Sequence, residues 1–174
     1  AKIVETLDEM QQMAEATLAF AREEATREDS RTVDVTALVD SLCQDLAELG
    51  LAVTFAGDER ATLACRPVAL KRALRNLIEN AVAYGEAAAV RLEAAADEVR
   101  IVIEDRGPGI PHGDRDRVFA PFVRLEESRS KDTGGIGLGM AIARSIVRGH
   151  GGDIDLERRA EGGLRVIVRL PKSG

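Results

Sequence analysis

The sequence predicts an α+β fold: a two-layer α/β sandwich, one mixed sheet with helices on one face, preceded by one long helix. Apolar residues recur at steps of three and four in several stretches, as helix stripes do. Short runs rich in Val, Ile and Leu come in pairs between those stretches, bounded by Gly, Asp and Pro. The two kinds of element interleave, which sets helices against a sheet rather than in a separate bundle.

The elements follow in order. Ile3, Leu7, Met10, Ala14, Thr17 and Ala21 form the first stripe, and Val4, Met13, Leu18 and Phe20 widen it. A helix this apolar needs a partner, from the same chain or another copy. The polar run 22–31 reads as helix end and linker. Val33 and Val35 alternate with polar neighbours as a short strand. A helix carrying Leu38, Leu42, Leu46 and Leu49 follows, with Gly50 at its C-terminal cap. Residues 51–55 and 61–65 read as strands around a Gly57-Asp58 turn. Pro67 suits the first turn of a helix bearing Leu70, Leu74, Leu77, Ile78 and Ala81. Residues 89–94 and 99–105 read as a hairpin. Residues 106–136 are rich in Gly, Asp, Arg and Ser with little periodicity. A stretch that long inside a compact domain is a functional lid or disordered. Residues 139–148 return to helix, and 154–158 with 164–170 form a last hairpin around Glu161-Gly162-Gly163.

Composition narrows the function classes. The 174 residues are 45% hydrophobic but only 3% aromatic, with no Trp, so the core must be built from Leu, Val, Ile and Ala. The formal net charge of -6 argues against a nucleic-acid partner, whose surface would be basic. Cys43 and Cys65 form no metal-ligand or disulfide pattern and read as buried thiols. No apolar run approaches the ~18 residues of a membrane span, and the sequence as it stands is not expected to carry a signal peptide. The chain starts Ala1-Lys2 and reads as an excised or processed part of something longer.

Three constellations carry chemistry. Asp105-Arg106-Gly107-Pro108-Gly109 closes an apolar run. Glycines let the backbone pass close to a flat ligand, and one carboxylate accepts from an amine such as that of adenine. Asn76 and Asn80, four apart on one helix, share a face. A neutral amide oxygen suits a Mg²⁺ whose other ligands are phosphates and water. Gly134-Gly135-Ile136-Gly137-Leu138-Gly139 opens a helix, where exposed amides and the helix dipole favour phosphate. Between the glycine clusters, Phe119-Ala120-Pro121-Phe122 supplies an anchor for a lid, with Arg124, Arg129 and Lys131 charged to suit a triphosphate. Each pattern alone also fits a plainer role: a structural turn, a pair of surface asparagines, a hinge before a core helix, a solvated loop.

In this order the motifs resemble the catalytic ATP-binding domain of sensor histidine kinases, within the gyrase, Hsp90, histidine-kinase and MutL superfamily. The resemblance rests on Asn76-Leu77-Ile78-Glu79-Asn80-Ala81, Glu104 to Pro111, Phe119 to Arg129, Gly135 to Ala141 and His150-Gly151-Gly152. It implies the Bergerat ATP-binding fold over residues 32–174. It likens residues 1–31 to part of the second helix of a dimerisation and phosphotransfer domain with its linker. It implies ATP and Mg²⁺ as cofactors. Asp105 would receive the adenine amine, with Gly107 and Gly109 passing the base and Tyr84 lining the pocket. Asn80 would bind the metal, assisted by Asn76. Gly135, Gly137, Leu138 and Gly139 would cradle phosphates, and Arg129 would reach them from the lid. The γ-phosphoryl would go to a His on the dimerisation domain, before residue 1, and then to a response regulator receiver domain. The parent would be a homodimer, with this part cytoplasmic below an inner-membrane sensor.

Two departures bear on this. Where many relatives carry Lys or Arg three residues after the metal-binding Asn, this chain has Ala83. Its only histidines, His112 and His150, lie off the first helix, so this fragment is expected not to phosphorylate itself. The rivals are an ATPase or serine kinase of the same superfamily, or a nucleotide module that has lost catalysis. The ATPases use a Glu one turn before the metal-binding Asn. Here that position is Asn76, and Glu79 lies about 100° around the helix.

Overall fold

The computed structural model describes residues 2–25, 28–57, 59–120 and 138–172, and in the first helix the side chains of residues 2–15, 17 and 18. That helix, α1 (Lys2–Ala25), runs about a turn further than its stripe predicts. Ile3, Leu7 and Met10 are 77%, 58% and 61% exposed, so no described part of the chain covers its apolar face.

Strand β1 (Arg31–Asp34) passes directly into α2 (Val35–Glu48). Asp34 ends the strand because its side chain caps the helix, accepting the Ala37 N–H at 3.0 Å. Such a cap contributes about 1 kcal/mol. Val35 is therefore the first helical residue and fully buried, not the strand residue that alternation suggested. The helix closes on Gly50 (φ +94): Gly50 N–H donates to Ala47 O at 3.0 Å and Leu51 N–H to Leu46 O at 3.1 Å. Leu42 and Leu46 reach the core, but Leu49 in the closing turn is left 66% exposed, contrary to the stripe.

The mixed sheet that the sequence predicts is present, with five strands, and a separate two-stranded sheet accompanies it. Strands β2 (Ala52–Gly57) and β3 (Thr62–Cys65) are neighbours in sequence but do not pair. β3 pairs antiparallel with β1 in a separate two-stranded sheet. Its approach is fixed at the start of α2: Val35 N–H donates to Ala61 O at 2.9 Å, and the Thr36 hydroxyl accepts from Ala61 N–H and donates to Glu59 O, both at 2.9 Å. β2 instead runs parallel to β4 (Ala87–Ala94).

Helix α3 (Pro67–Gly85) begins with every early donor occupied. Pro67 has no N–H. Val68 and Ala69 donate to the two carboxylate oxygens of Glu28, at 2.9 and 3.0 Å. The preceding Arg66 N–H donates to His150 Nε2 at 3.0 Å. At the other end Glu86 takes the left-handed turn (φ +65) and Gly85 stays helical. After the β4–β5 hairpin, β5 being Glu98–Glu104, come two 3-10 turns, His112–Asp114 and Arg117–Phe119. Helix α4 (Gly139–Gly149) and the hairpin β6 (Asp153–Arg158) with β7 (Leu164–Pro171) complete the chain.

The main sheet has the order β2-β4-β5-β7-β6, with only β2–β4 parallel. Its inner face sends Val90, Leu92, Val99, Ile101, Ile103, Val166, Val168 and Leu170 into a core with Leu42, Leu46, Leu70, Leu74, Leu77, Ile78 and Ile146 of the helices. Burial stabilises each such side chain by about 1.5–3 kcal/mol. The outer face carries paired charges: Arg91 and Arg165 with Glu104, Arg100 with Glu98, Arg169 with Asp155. Val102, in register between Arg91 and Ile167 on that face, is nevertheless 3% exposed. Both cysteines are buried and free. Burial, with Asp40 adding to it, pushes the Cys43 thiol up to about 11, which leaves it protonated and unreactive.

Candidate functional site

Asp105 is the one buried charged residue among the described residues, 5% exposed at the end of β5. Its backbone N–H donates to Leu164 O at 3.0 Å, extending the β5–β7 ladder by one residue. Its Oδ1 accepts the Gly107 N–H at 2.8 Å and the Leu164 N–H at 3.4 Å. No described group donates to Oδ2. Burial pushes the carboxyl above its ordinary value, while the two N–H donors and Arg159 work the other way.

Three glycines crowd this carboxylate for lack of side-chain room. A Cβ on Gly85 would lie 2.5 Å from Asp105 Cβ and 2.9 Å from its Oδ1. A Cβ on Gly107 would lie 2.6 Å from the Tyr84 carbonyl oxygen, so the loop passes directly against the end of α3. A Cβ on Gly163 would lie 2.0 Å from the Asp105 carbonyl oxygen. Gly109 takes φ +73 and lies against the Gly163 carbonyl. The loop after β5, the end of α3 and the β6–β7 turn thus meet at one carboxylate. Gly107 and Gly109 were legible in sequence. Gly85 and Gly163 were not: Gly85 resembles a cap glycine though its constraint is clearance, and Gly163, a turn glycine by its φ of +99, also needs clearance that its place in the turn does not announce.

The other predicted residues fall partly within reach of the structure. Asn76 and Asn80 are half-buried on one side of α3. Glu79 points elsewhere and is paired with Arg75 at 2.8 Å. A Cβ on Gly139 would lie 3.8 Å from Asn76 Cβ, so the start of α4 abuts the asparagine face of α3. Leu138 is 4% exposed and its carbonyl accepts the Ile142 N–H at 2.9 Å, so its side chain belongs to the core. Tyr84 is half-buried beside Gly107. Arg129, Gly135 and Gly137, with Phe122, Arg124 and Lys131, lie outside the described residues. Phe119 is buried, and the Arg144 guanidinium of α4 stands 4.4 Å from its ring centroid. A cation over a ring contributes about 0.5–2 kcal/mol, so the near end of the predicted lid is pinned to α4.

The described donor set holds neutral amides and no carboxylate cluster. Among the described residues no group of His, Cys, Asp and Glu can hold an ion. The amides of Asn76 and Asn80 accept no described hydrogen bond. Neutral amides without a carboxylate partner suit a Mg²⁺ that arrives with phosphate. His150 is accounted for structurally: Nδ1 donates to Ile146 O at 2.7 Å and Nε2 accepts from Arg66. Burial foremost holds its pKa below the ordinary value.

Residues 65–174 match the family described as histidine kinase-, DNA gyrase B-, and HSP90-like ATPase. Sensor histidine kinase GtrS of Pseudomonas aeruginosa is 37% identical over 168 residues, 97% of this chain and 34% of GtrS. Sensor-type histidine kinase PrrB of Mycobacterium tuberculosis is 33% identical over 174 residues, 98% of this chain and 37% of PrrB. The chain thus spans about a third of the length of these relatives. The crystal structure of the PrrB ATP-binding domain superposes with a TM-score of 0.69 at 30% identity, covering 84% of this chain and 100% of that one. Full-length ShkA, crystallised with AMPPNP, superposes with a TM-score of 0.75 at 26% identity, covering 96% of this chain and 36% of ShkA. The chain belongs to the histidine kinase-, DNA gyrase B- and HSP90-like ATPase family, and within it to the catalytic domains of sensor histidine kinases.

Proposed function

We propose that residues 32–174 bind Mg-ATP and pass its γ-phosphoryl to a histidine outside these residues, for relay to a response regulator aspartate. The observation that carries this reading is the wall around Asp105. A buried carboxylate with Oδ1 held by two backbone donors offers one oriented oxygen, and glycines clear the space beside it. That oxygen accepts the adenine amine. The asparagine face of α3 against the start of α4 serves the phosphate end. Asn80 would hold Mg²⁺ and Asn76 would assist; the ion neutralises charge on the transferring phosphates. Gly135, Gly137, the Leu138 and Gly139 backbone, and Arg129 complete the phosphate contacts. With Ala83 exposed and uncharged, the basic contact falls to the lid.

Transfer is favoured over hydrolysis because, among the described residues of α3, no carboxylate stands one turn before Asn80, where a general base for water is needed. Glu79 is held by Arg75, and Asn76 cannot take a proton. Residues 1–31 act as part of the second dimerisation helix and its linker, and the exposed stripe of α1 pairs in a homodimeric parent. Among the described residues no helix is long and apolar enough to cross a membrane; we place this part on the cytoplasmic side of a sensor.

The test is a chain extended upstream through the acceptor helix, given γ-labelled ATP and Mg²⁺. Acid-labile, base-stable label on the added histidine is expected, with none on His112 or His150. Release of inorganic phosphate without labelled protein would make the chain a hydrolase instead.

A further inference from the structure

The turn between β6 and β7 is tied to the site by one side chain that the motifs do not include. Arg159 is 13% exposed, with all its contacts on two short segments. Its Nη1 donates to the Asp105 carbonyl at 3.1 Å and to the Gly162 carbonyl at 3.3 Å. Its Nε stands 3.0 Å from Glu104 Oε2, and its Nη2 3.4 Å from Glu161 Oε2. Its own backbone N–H donates to Gly163 O at 3.0 Å, and its carbonyl accepts the Gly162 N–H at 3.1 Å. One planar guanidinium therefore bonds both the strand end bearing Asp105 and the turn preceding Leu164. Leu164 supplies one of the two N–H donors that orient Asp105 Oδ1.

We propose that Arg159 is a positioning residue for base selection, holding the β6–β7 turn so that Asp105 presents Oδ2 as an acceptor to the nucleobase. The inference rests on the reading of Asp105 as the adenine contact. Two consequences separate it from simple support of the fold. The first concerns the proton. With Oδ1 committed to two N–H groups, a proton on the carboxyl must sit on Oδ2, turning the ligand-facing oxygen into a donor. The positive charge of Arg159 favours the ionised form, acting against the burial that disfavours it. The second concerns the base. Hypoxanthine carries a carbonyl where adenine carries its amine, so a well-oriented acceptor rejects it, and a disoriented or protonated carboxyl does not.

The experiment measures ADP and IDP affinity by calorimetry for the parent chain, Arg159→Ala, Arg159→Lys and Asp105→Asn, from about pH 5.5 to about pH 8.5. Circular dichroism establishes that each is folded. For Arg159→Ala we expect ADP to weaken roughly tenfold, the order of one charge-assisted hydrogen bond, with IDP changed less than about twofold. We also expect the acid limb of ADP binding to move to higher pH. Arg159→Lys keeps the charge without the fork, so its acid limb stays near the parent's while the ADP preference is only partly kept. It also carries the test if the alanine chain does not fold. Equal losses for ADP and IDP in Arg159→Ala with an unmoved acid limb, or an unchanged preference in Arg159→Lys, would overturn the proposal. If Asp105→Asn collapses the preference and the Arg159 variants keep it, the inference falls and the site reading stands. If Asp105→Asn keeps the preference, the site reading falls first and the inference with it.

Discussion

Gly85→Ala sets two magnitudes against each other. In an unconstrained helix, Gly to Ala stabilises by roughly 0.5–1 kcal/mol. Gly85 is helical, with its left-handed neighbour Glu86 carrying the turn, so backbone strain gives no reason for a glycine. The reason is clearance: the new Cβ would lie 2.5 Å from Asp105 Cβ. Carbon atoms rest at about 3.5–4.0 Å, so one side must move by about 1 Å. Asp105 cannot yield freely, because its N–H, its carbonyl and its Oδ1 are all bonded. Overpacking of this kind costs about 1–3 kcal/mol. The net is a loss of up to about 2.5 kcal/mol, or a fall in Tm of up to roughly 10 °C for a domain of this size. ADP affinity should fall at least about tenfold, because the group displaced is the proposed base reader. Thermal unfolding and calorimetry measure both. Gly113→Ala is the control, since its Cβ would meet nothing within 4 Å. A Gly85→Ala chain that melts higher than the parent and binds ADP unchanged would refute the reasoning.

Three further outcomes follow from other contacts. His150 is neutral in the fold, and its depressed pKa means the unfolded chain binds the proton more readily. Its contribution, about 1 kcal/mol for the Arg66 N–H bond, is present above the ordinary value near pH 6.5 and is lost as pH falls through the lower folded value. Urea unfolding at several pH values should show a shallower acid loss for His150→Gln; identical slopes would count against it. Glu28→Ala removes both acceptors at the start of α3 and should cost about 0.5–2 kcal/mol, with Glu28→Gln costing less, read from the urea midpoint. Asn80→Ala should weaken Mg-ATP by at least about tenfold while leaving ATP in chelator within about twofold, if the amide serves the metal.

Much of this fold was written locally. The stripe Leu70, Leu74, Leu77, Ile78 specified α3, and Gly50 marked the end of α2, because both signals depend on a few neighbouring residues. Sheet partners do not. β2 and β3 flank a turn in sequence, yet each pairs with a strand elsewhere, and no local pattern records that choice. Leu49 kept the helix period but fell in the closing turn, where the chain leaves the core. The site shows the same division. Asp105, Gly107, Gly109 and the asparagine pair stand in motif order. Gly85, Gly163 and Arg159 act across 20 to 60 residues of chain by clearance or by a single side chain, and their types alone carry no such message. Glu28 caps a helix 40 residues away and reads in sequence as one more linker charge.

The most direct test of the central claim is a calorimetric titration of the parent chain and Asp105→Asn with Mg-ATP. The account predicts measurable one-site binding by the parent and a loss of roughly tenfold or more in the variant, which replaces the carboxylate acceptor with an amide. No heat of binding by the parent at millimolar nucleotide, or equal affinity in the two chains, would contradict it.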